Sequence, residues 1–258
     1  MKLDYAVDDG LARIMMNRPD RMNSFDFELA ELWADACEDA VSRDDVGAIL
    51  LEGVGRSFCA GGDVFAMADG GFSGEAITEL VRVINRGIRA LTESSIPVVV
   101  AAQGTTAGGG LGILLASDYA IVGTDSRIGS LYANIGLTPD LSVSAQLGRV
   151  VGQRRALQLV LQDRLLSAAE ALDWGLVAEV VAPELVRHRA TEIARFWLDS
   201  APGAYGLAKR LVRSAEGAAL TDHLDEEART VGAALETPRA QALVEAFMAR
   251  SSRRAASR

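Results

Sequence analysis

The spacing of apolar positions alternates between two patterns in the first half of the chain. Short, mostly apolar runs, typical of strands, lie at residues 11–16, 48–52 and 98–103. Between them, apolar residues recur at steps of three and four. This spacing predicts an amphipathic helix over about residues 25–41, with Ser24 or Asp26 as its N-cap, and a second helix over residues 77–91. Strands that alternate with helices predict an α/β fold.

The second half of the chain starts with two more strands and then becomes helical. The predicted strands cover residues 118–122 and 127–129, and a helical region follows them. From Pro183 onward the pattern is almost purely helical. The helices predicted there cover residues 185–198, 204–215, 220–235 and 239–250.

A boundary is predicted near Pro202, where Ser, Ala, Pro and Gly interrupt the helical pattern. It divides a core of residues 1–201 from a C-terminal helical segment of residues 202–258. The last eight residues, SSRRAASR, are predicted to be a basic, frayed tail.

Composition and charge exclude several classes of protein. Across 258 residues, 35 acidic side chains outnumber 26 basic ones, so most of the surface repels nucleic acid. The apolar share of 49% excludes intrinsic disorder and supplies a sizeable core. The N-terminus lacks the pattern of a secretory signal, and no apolar run is long enough to cross a bilayer. We therefore expect a cytoplasmic protein with neither nucleic acid nor membrane as a partner.

Cysteine and histidine are scarce. The two cysteines, Cys37 and Cys59, cannot build a disulfide framework or a thiolate metal site. The two histidines, His188 and His223, both lie in late segments of helical pattern. No metal site and no histidine-assisted nucleophile are therefore expected.

Two glycine clusters are the first candidates for chemistry: SFCAGGDV at residues 57–64 and AQGTTAGGGLGILLASD at residues 102–118. Each follows an apolar strand and leads into a helical stretch, so backbone amides at the turn can stabilise an anion. The alternative is a tight turn or close backbone packing. The second cluster has neither the lysine of a nucleotide P-loop nor the G-x-G-x-x-G spacing of a dinucleotide site, and no G-x-S-x-G hydrolase motif occurs.

Asp140 is the candidate carboxylate, and two interpretations of it stay open. It follows Pro139 and precedes a helix predicted over residues 142–149, so it could serve only as an N-cap. Its many apolar neighbours would also raise its pKa and suit it to proton transfer.

These motifs together resemble the crotonase, or enoyl-CoA hydratase/isomerase, superfamily nearly from end to end. The segments that carry the resemblance are NRPDRMNSF, SFCAGGDV, IPVVVAAQGTTAGGGLGILLASDYAIV, IGLTPD and LSAAEALDWGLVAEVV. The resemblance implies a spiral of strand-strand-helix repeats and a C-terminal helical trimerisation segment, hence a homotrimer or homohexamer. It also implies an acyl-CoA thioester as substrate. No prosthetic group is expected, because coenzyme A is part of the substrate.

The resemblance also implies roles for backbone amides. In the family two amides bind the thioester carbonyl oxygen, and the matching positions are Gly62 and Gly109. Such donors suit the enolate that forms when a proton beside a thioester is removed, and one donor is typically worth about 3 kcal/mol.

Coenzyme A itself is expected, by family correspondence, at the backbone around Met22, Ala60 and Gly62, with Arg18 as a weaker candidate. Phe247 and Arg250 match C-terminal positions that cover the adenine and meet phosphate, from a neighbouring subunit. The alternative for this basic end is a solvated helix terminus.

Departures from the family pattern bear on the reaction. Hydratases use two glutamates, and the matching positions here are Gly112 and Tyr132, so hydration is not expected. Asp140 falls where several isomerases place a catalytic carboxylate, and where the 4-chlorobenzoyl-CoA dehalogenase has its nucleophile. The dehalogenase's histidine base matches Asn85.

The sequence therefore favours a double-bond isomerase with Asp140 as proton shuttle. Tyr132 either orients the substrate or is a core aromatic, and Cys59 is interpreted as small buried filler. The alternatives are an enoyl-CoA hydratase (a lyase), an aryl-CoA dehalogenase-like hydrolase with Asp140 as nucleophile, and a non-catalytic CoA-binding subunit.

Overall fold

The computed structural model describes residues 1–69, 73–162 and 164–256, without the side chains of residues 202 and 250–256. The strands are β1 (Leu3–Asp8), β2 (Leu11–Met16), β3 (Ala48–Gly53), β4 (Ser57–Cys59), β5 (Val98–Ala102), β6 (Thr105–Ala107), β7 (Tyr119–Gly123), β8 (Arg127–Gly129), β9 (Leu165–Ser167) and β10 (Glu179–Val181). The α-helices are α1 (Phe27–Ser42), α2 (Val64–Asp69), α3 (Gly74–Glu93), α4 (Gly109–Ala116), α5 (Val143–Val151), α6 (Gln153–Leu161), α7 (Ala168–Asp173), α8 (Val186–Ser200), α9 (Pro202–Ser214), α10 (Leu220–Leu235) and α11 (Pro238–Ala256).

The strands form two sheets, and the chain passes from one to the other in each turn of a spiral. The larger sheet has the order β1-β2-β3-β5-β7-β10 and the smaller one the order β4-β6-β8-β9. Three successive turns therefore run β3-β4-helix, β5-β6-helix and β7-β8-helix. The two strands predicted at residues 118–122 and 127–129 belong to different sheets, which the sequence pattern did not indicate.

Parallel pairing sets the geometry of the glycine clusters. In the smaller sheet, β6 pairs in parallel with both β4 and β8. Because β4 and β6 run side by side, the segments that follow them leave the sheet at the same edge. The two glycine clusters, distant in sequence, are brought together there.

Helix α1 begins where one of its two predicted caps lies. The Asp26 carboxylate accepts a hydrogen bond from the Leu29 amide at 2.9 Å, so Asp26 and not Ser24 is the N-cap. The helix buries Trp33 against α3, where the indole N–H donates to the Ile84 carbonyl at 3.2 Å. Gly87 makes this approach possible, because a Cβ atom there would lie 2.3 Å from the indole nitrogen.

The C-terminal helices cover the outer side of the core. Helix α8 packs its buried alanines against the larger sheet. On α9, the buried Lys209 donates to the carbonyls of Leu91 and Ile96 and pairs with Asp118 at 3.0 Å. Helix α11 continues to Ala256, so the tail predicted to be frayed is helical as far as the structure describes it.

No helix in the described ranges combines the length and the apolar character needed to cross a membrane.

Candidate active site

One apolar cavity of about 340 Å³ brings the two glycine clusters and Asp140 together. The predicted residues on its wall are Met22, Ala60, Gly62, Gly109, Tyr132 and Asp140. Most of the remaining wall is aliphatic and comes from α3 and from the turn before α5. A larger cavity of about 1050 Å³ lies between α3, α5 and α9, but no glycine of either cluster lines it, and neither does Asp140. The smaller cavity is therefore the candidate active site.

Backbone pairing fixes the first glycine turn. The Phe25 amide donates to the Gly61 carbonyl at 2.8 Å, and the Asp63 amide donates to the Phe25 carbonyl at 2.9 Å. Because these flanking groups both point toward Phe25, the Gly62 N–H points the other way, as alternate residues do in an extended segment. Gly61 has φ +100°, a conformation that favours glycine, and this lets the turn reverse tightly.

The second glycine turn opens helix α4. Gly108 is its N-cap with φ +53°, and Gly109 is its first residue, so the Gly109 N–H has no carbonyl one turn earlier to bind. The helix is buried along its whole length. Gly110 lies against β4, where an added Cβ atom would come within 2.1 Å of the Cys59 carbonyl oxygen. Glycine is needed here for close packing as well as for the turn.

The two turns touch each other. A Cβ atom added at Gly61 would lie 3.0 Å from the Gly109 nitrogen. Among the residues that the structure describes, neither the Gly62 amide nor the Gly109 amide has an acceptor. Two unpaired donors on one apolar cavity can stabilise a negatively charged oxygen without reorganisation.

Asp140 does not cap a helix, so the N-cap interpretation is wrong. Helix α5 starts at Val143, its N-cap is Ser142, and no side chain caps it. The Asp140 carboxylate instead accepts a hydrogen bond of 2.5 Å from the Tyr132 hydroxyl. Tyr132 is only 8% exposed, and its hydroxyl is used by this contact.

Burial sets the protonation properties of this pair. Loss of hydration raises the pKa of Asp140 above its ordinary value, and the hydrogen bond from Tyr132 opposes that rise. Burial, together with the neighbouring carboxylate, also raises the pKa of Tyr132, which keeps its proton and acts as a donor. A carboxylate with a raised pKa in an apolar cavity is suited to take up and return a proton.

The backbone after Asp140 closes the space beside Gly112. Leu141 and Ser142 both have positive φ, at 44° and 69°, a backbone conformation that is unusual for residues other than glycine. The turn presses Leu141 onto α4, and a Cβ atom added at Gly112 would lie 2.2 Å from the Leu141 carbonyl oxygen. No side chain, and therefore no carboxylate, fits at this position without a shift of the turn that carries Asp140.

The other predicted site residues fall into two groups. Met22 and Ala60 line the cavity, and the Ala60 amide donates to the Met22 carbonyl at 3.0 Å. Arg18 does not line it; its guanidinium binds Asp63, Asp26 and the Ser24 carbonyl instead. These contacts already engage the guanidinium that was expected from the sequence to bind coenzyme A.

The C-terminal candidates lie away from the cavity in this chain. Phe247 is 64% exposed on α11 and lines no part of the cavity, while the Arg250 side chain lies outside what the structure describes. Asn85 lines the larger cavity rather than the site. Cys59 is buried, and burial raises the pKa of its thiol to about 12, which agrees with its interpretation as filler.

Two contributors to the site were missed from the sequence. Asp63 is 5% exposed and holds the first glycine turn through its contacts with Arg18 and with the Ala66 amide. Leu141 closes the space beside Gly112. The only signal in the sequence was the placement of Asp63 directly after the glycine pair, which is typical of a helix cap. Nothing indicated the left-handed turn at Leu141.

Comparisons with known proteins agree with this geometry. The profile of the enoyl-CoA hydratase/isomerase family matches residues 6–253. The 1,2-epoxyphenylacetyl-CoA isomerase of Escherichia coli (strain K12) is 34% identical over 224 residues, which are 86% of this chain and 85% of the relative. The 4-chlorobenzoyl coenzyme A dehalogenase-2 of an Arthrobacter species is 32% identical over 232 residues, 89% of this chain and 84% of the relative.

A crystal structure of an enoyl-CoA hydratase from Bacillus anthracis superimposes with a TM-score of 0.91 at 26% identity and covers 97% of both chains. The spiral fold is that of the crotonase superfamily. Within it, this chain belongs to the enoyl-CoA hydratase/isomerase family. The family and the spiral predicted from the sequence are confirmed, and trimerisation stays a prediction.

Proposed function

We propose that the protein shifts a double bond within an unsaturated acyl-CoA thioester, with Asp140 as the proton shuttle. The observation that carries this proposal is the composition of the cavity wall. Among the described residues that line it, Asp140 is the one carboxylate, and it shares the cavity with the unpaired amides of Gly62 and Gly109. One carboxylate and a pair of donors are what a proton shuttle along a conjugated system requires.

The reaction balances without water or a redox partner. The Asp140 carboxylate removes a proton from the γ or α carbon, and the electron pair of that C–H bond moves into a conjugated enolate. Its negative charge gathers on the thioester oxygen, where the Gly62 and Gly109 amides donate to it. The protonated Asp140 then returns the proton to the other end of the conjugated system, and the double bond has moved.

Hydration fits this site less well. The positions that match the glutamates of hydratases are Gly112 and Tyr132. At Gly112 the Leu141 backbone occupies the space that a glutamate side chain would need. The Tyr132 hydroxyl is already bound to Asp140. With one carboxylate the site lacks a second group to hold and activate water.

Nucleophilic hydrolysis by Asp140 also lacks a partner. It needs a base to deprotonate the water that releases the covalent intermediate. The position that matches the dehalogenase's base is Asn85, which has no basic nitrogen and lines the other cavity. The similar proteins named above are an isomerase, a dehalogenase and a hydratase, so the choice between these reactions rests on the residues of the site.

The rest of the proposal concerns substrate binding and assembly. We propose that Met22, Ala60 and Gly62 contact coenzyme A, and that Phe247 and Arg250 reach it from a neighbouring subunit of a homotrimer or homohexamer. The exposed apolar side chains of the C-terminal helices, such as Val231 at 67% and Phe247 at 64%, support a subunit contact there. We propose a cytoplasmic location, and residues 202–258 as the assembly segment.

The test is to incubate the protein with a 3-enoyl-CoA, a 2-enoyl-CoA and 4-chlorobenzoyl-CoA in deuterated water. We expect interconversion of the two enoyl isomers and no change in the aryl thioester. Deuterium enters the α or γ carbon when the protonated Asp140 exchanges with solvent before it returns the proton. Net addition of water without migration of the double bond, or release of chloride, would contradict the proposal. Tight binding without any hydrogen exchange would indicate a non-catalytic CoA-binding subunit.

A Tyr132→Phe variant is expected to move the acid limb of the kcat/KM profile to higher pH. Burial raises the pKa of Asp140 and the Tyr132 hydrogen bond lowers it, so loss of the hydroxyl raises that pKa further. The carboxylate must be ionised to act as a base. Activity is therefore lost at a higher pH than in the wild type as pH falls, whereas kcat/KM on the alkaline plateau stays within about tenfold.

The matched control for this profile is Tyr119→Phe. The Tyr119 hydroxyl also donates to a carboxylate, that of Glu179 at 2.7 Å, but neither residue lines the cavity. Its pH profile should match that of the wild type. An unchanged profile in Tyr132→Phe would show that Asp140 is not the group whose titration controls the rate.

A further inference from the structure

Arg18 forms a buried ionic cluster directly behind the first glycine turn. One guanidinium nitrogen lies 2.9 Å from the Asp63 carboxylate and 3.0 Å from that of Asp26, and Lys2 reaches the same Asp26 oxygen at 2.6 Å. The Arg18 and Asp63 side chains are only 13% and 5% exposed. A charge cluster this deeply buried is held in one geometry, because loss of either partner leaves an uncompensated charge.

The cluster joins the two segments whose pairing orients Gly62. On one side, the Arg18 guanidinium donates to the Ser24 carbonyl and binds Asp26, and these residues flank Phe25. On the other side it binds Asp63, which directly follows Gly62. The Phe25 backbone is hydrogen-bonded to Gly61 and Asp63. Arg18 thus connects both sides of the backbone pairing that turns the Gly62 N–H toward the cavity.

Asn23 fixes the loop of residues 18–25 independently of charge. It is fully buried, and its side-chain amide donates to the carbonyls of Val54, Ser57 and Phe58, while its carbonyl oxygen accepts from the Arg18 amide at 2.8 Å. Asn23 therefore anchors the loop to β4. Arg18 adds a side-chain connection to Asp63 beside the backbone pairing at Phe25. Both terminal nitrogens of the guanidinium already bind protein acceptors, so a phosphate would have to compete with Ser24, Asp26 and Asp63 for them.

We propose that Arg18 is a positioning residue for the oxyanion donor of Gly62, acting through Asp63, and not a ligand of coenzyme A. This inference rests on the proposed function, because it assumes that the Gly62 amide binds the thioester oxygen. If Arg18 positions this donor, its loss weakens the polarisation of the bound carbonyl. If Arg18 instead binds coenzyme A, its loss weakens binding.

The test uses butanoyl-CoA carrying ¹³C at the thioester carbonyl, bound to the full-length protein and observed by infrared difference spectroscopy. Donors aimed at the carbonyl oxygen lower its stretching frequency, and this saturated thioester requires no double-bond shift. We compare the wild type with Arg18→Met and with Asp63→Asn. Asp63→Asn keeps the shape and the acceptor for the Ala66 amide but loses the charge that binds Arg18.

We expect the wild type to lower the carbonyl frequency and both variants to lose at least about half of that shift. The Kd for butanoyl-CoA should stay within about threefold, and kcat for the double-bond shift should fall about 10–100-fold, less than for full removal of a donor. The control, Arg189→Met, removes an arginine paired with Glu179 away from the cavity and should leave the shift, the Kd and kcat unchanged.

A full carbonyl shift in Asp63→Asn would overturn the positioning role of Arg18. This variant tests the role even if Arg18→Met fails to fold. If Arg18→Met raises the Kd for butanoyl-CoA about tenfold or more and keeps the carbonyl shift, Arg18 binds coenzyme A instead. Absence of a shift in the wild type would overturn the proposed oxyanion donors, and this inference with them.

Discussion

Replacing Asp140 with asparagine is expected to lower kcat for the double-bond shift by about 10²–10⁴-fold, the usual contribution of a general acid–base group. Asparagine has nearly the same size and can still accept the hydrogen bond from Tyr132, but it cannot take up a proton. The measurement is the rate of isomer interconversion, together with deuterium incorporation from solvent. Both should fall in parallel, because both require proton removal by the same group.

Stability should move in the opposite direction from activity. Because burial raises the folded-state pKa of Asp140, the folded protein disfavours the ionised carboxylate at pH values above the unfolded-state pKa. The uncharged asparagine removes that penalty, so thermal unfolding at neutral pH should occur at the same or a higher temperature. The matched control is Glu179→Gln. Glu179 also accepts a hydrogen bond from a tyrosine but lies outside the cavity, so this variant should retain full activity. Full activity in Asp140→Asn would refute the role of this carboxylate and leave the oxyanion donors untouched.

A Gly110→Ala substitution is expected to lower both stability and activity. The added methyl group would lie 2.1 Å from the Cys59 carbonyl oxygen, and both positions are buried. Relief of this overlap must separate β4 from the start of α4, at a cost of about 2–4 kcal/mol, near the upper end for overpacking. The same movement separates the two glycine turns, so kcat should fall by about 10²-fold or more.

Gly148→Ala is the matched control. Gly148 lies within α5, and an added Cβ atom would have no atom within 4 Å. Alanine is a better helix former than glycine, so stability should rise by about 0.5–1 kcal/mol with unchanged kcat. Chemical denaturation of the two variants gives the comparison. Equal stability of Gly110→Ala and the wild type would mean that the two turns are not packed as closely as the structure shows.

The larger elements of the fold could be predicted from the sequence because their signals are local. Strand β2 was predicted with its observed bounds, and β3 and β5 to within one residue at each end. For α1, the apolar spacing and an acidic N-cap sufficed. The short strands β4 and β6 were missed as separate elements, whereas β8, which is equally short, was predicted with its observed bounds. Their pairing depends on contacts between residues far apart in sequence.

The candidate site was predictable where correspondence with the family or an acidic residue gave a signal. Gly62 and Gly109 were identified by correspondence with a family, and the structure supplies the physical basis through the contact between Gly61 and Gly109. The role of Asp140 stayed open in the sequence because capping and proton transfer use the same residue type at the same kind of position. The structure excludes side-chain capping by Asp140 and pairs its carboxylate with Tyr132, and the role in proton transfer stays a proposal.

The most direct test of the account is the structure of the protein with a saturated acyl-CoA bound. We predict that the thioester oxygen lies about 2.7–3.1 Å from both the Gly62 and the Gly109 nitrogen, with an Asp140 oxygen within reach of the α or γ carbon. A thioester oxygen bound elsewhere, or an Asp140 carboxylate turned away from both carbons, would contradict it.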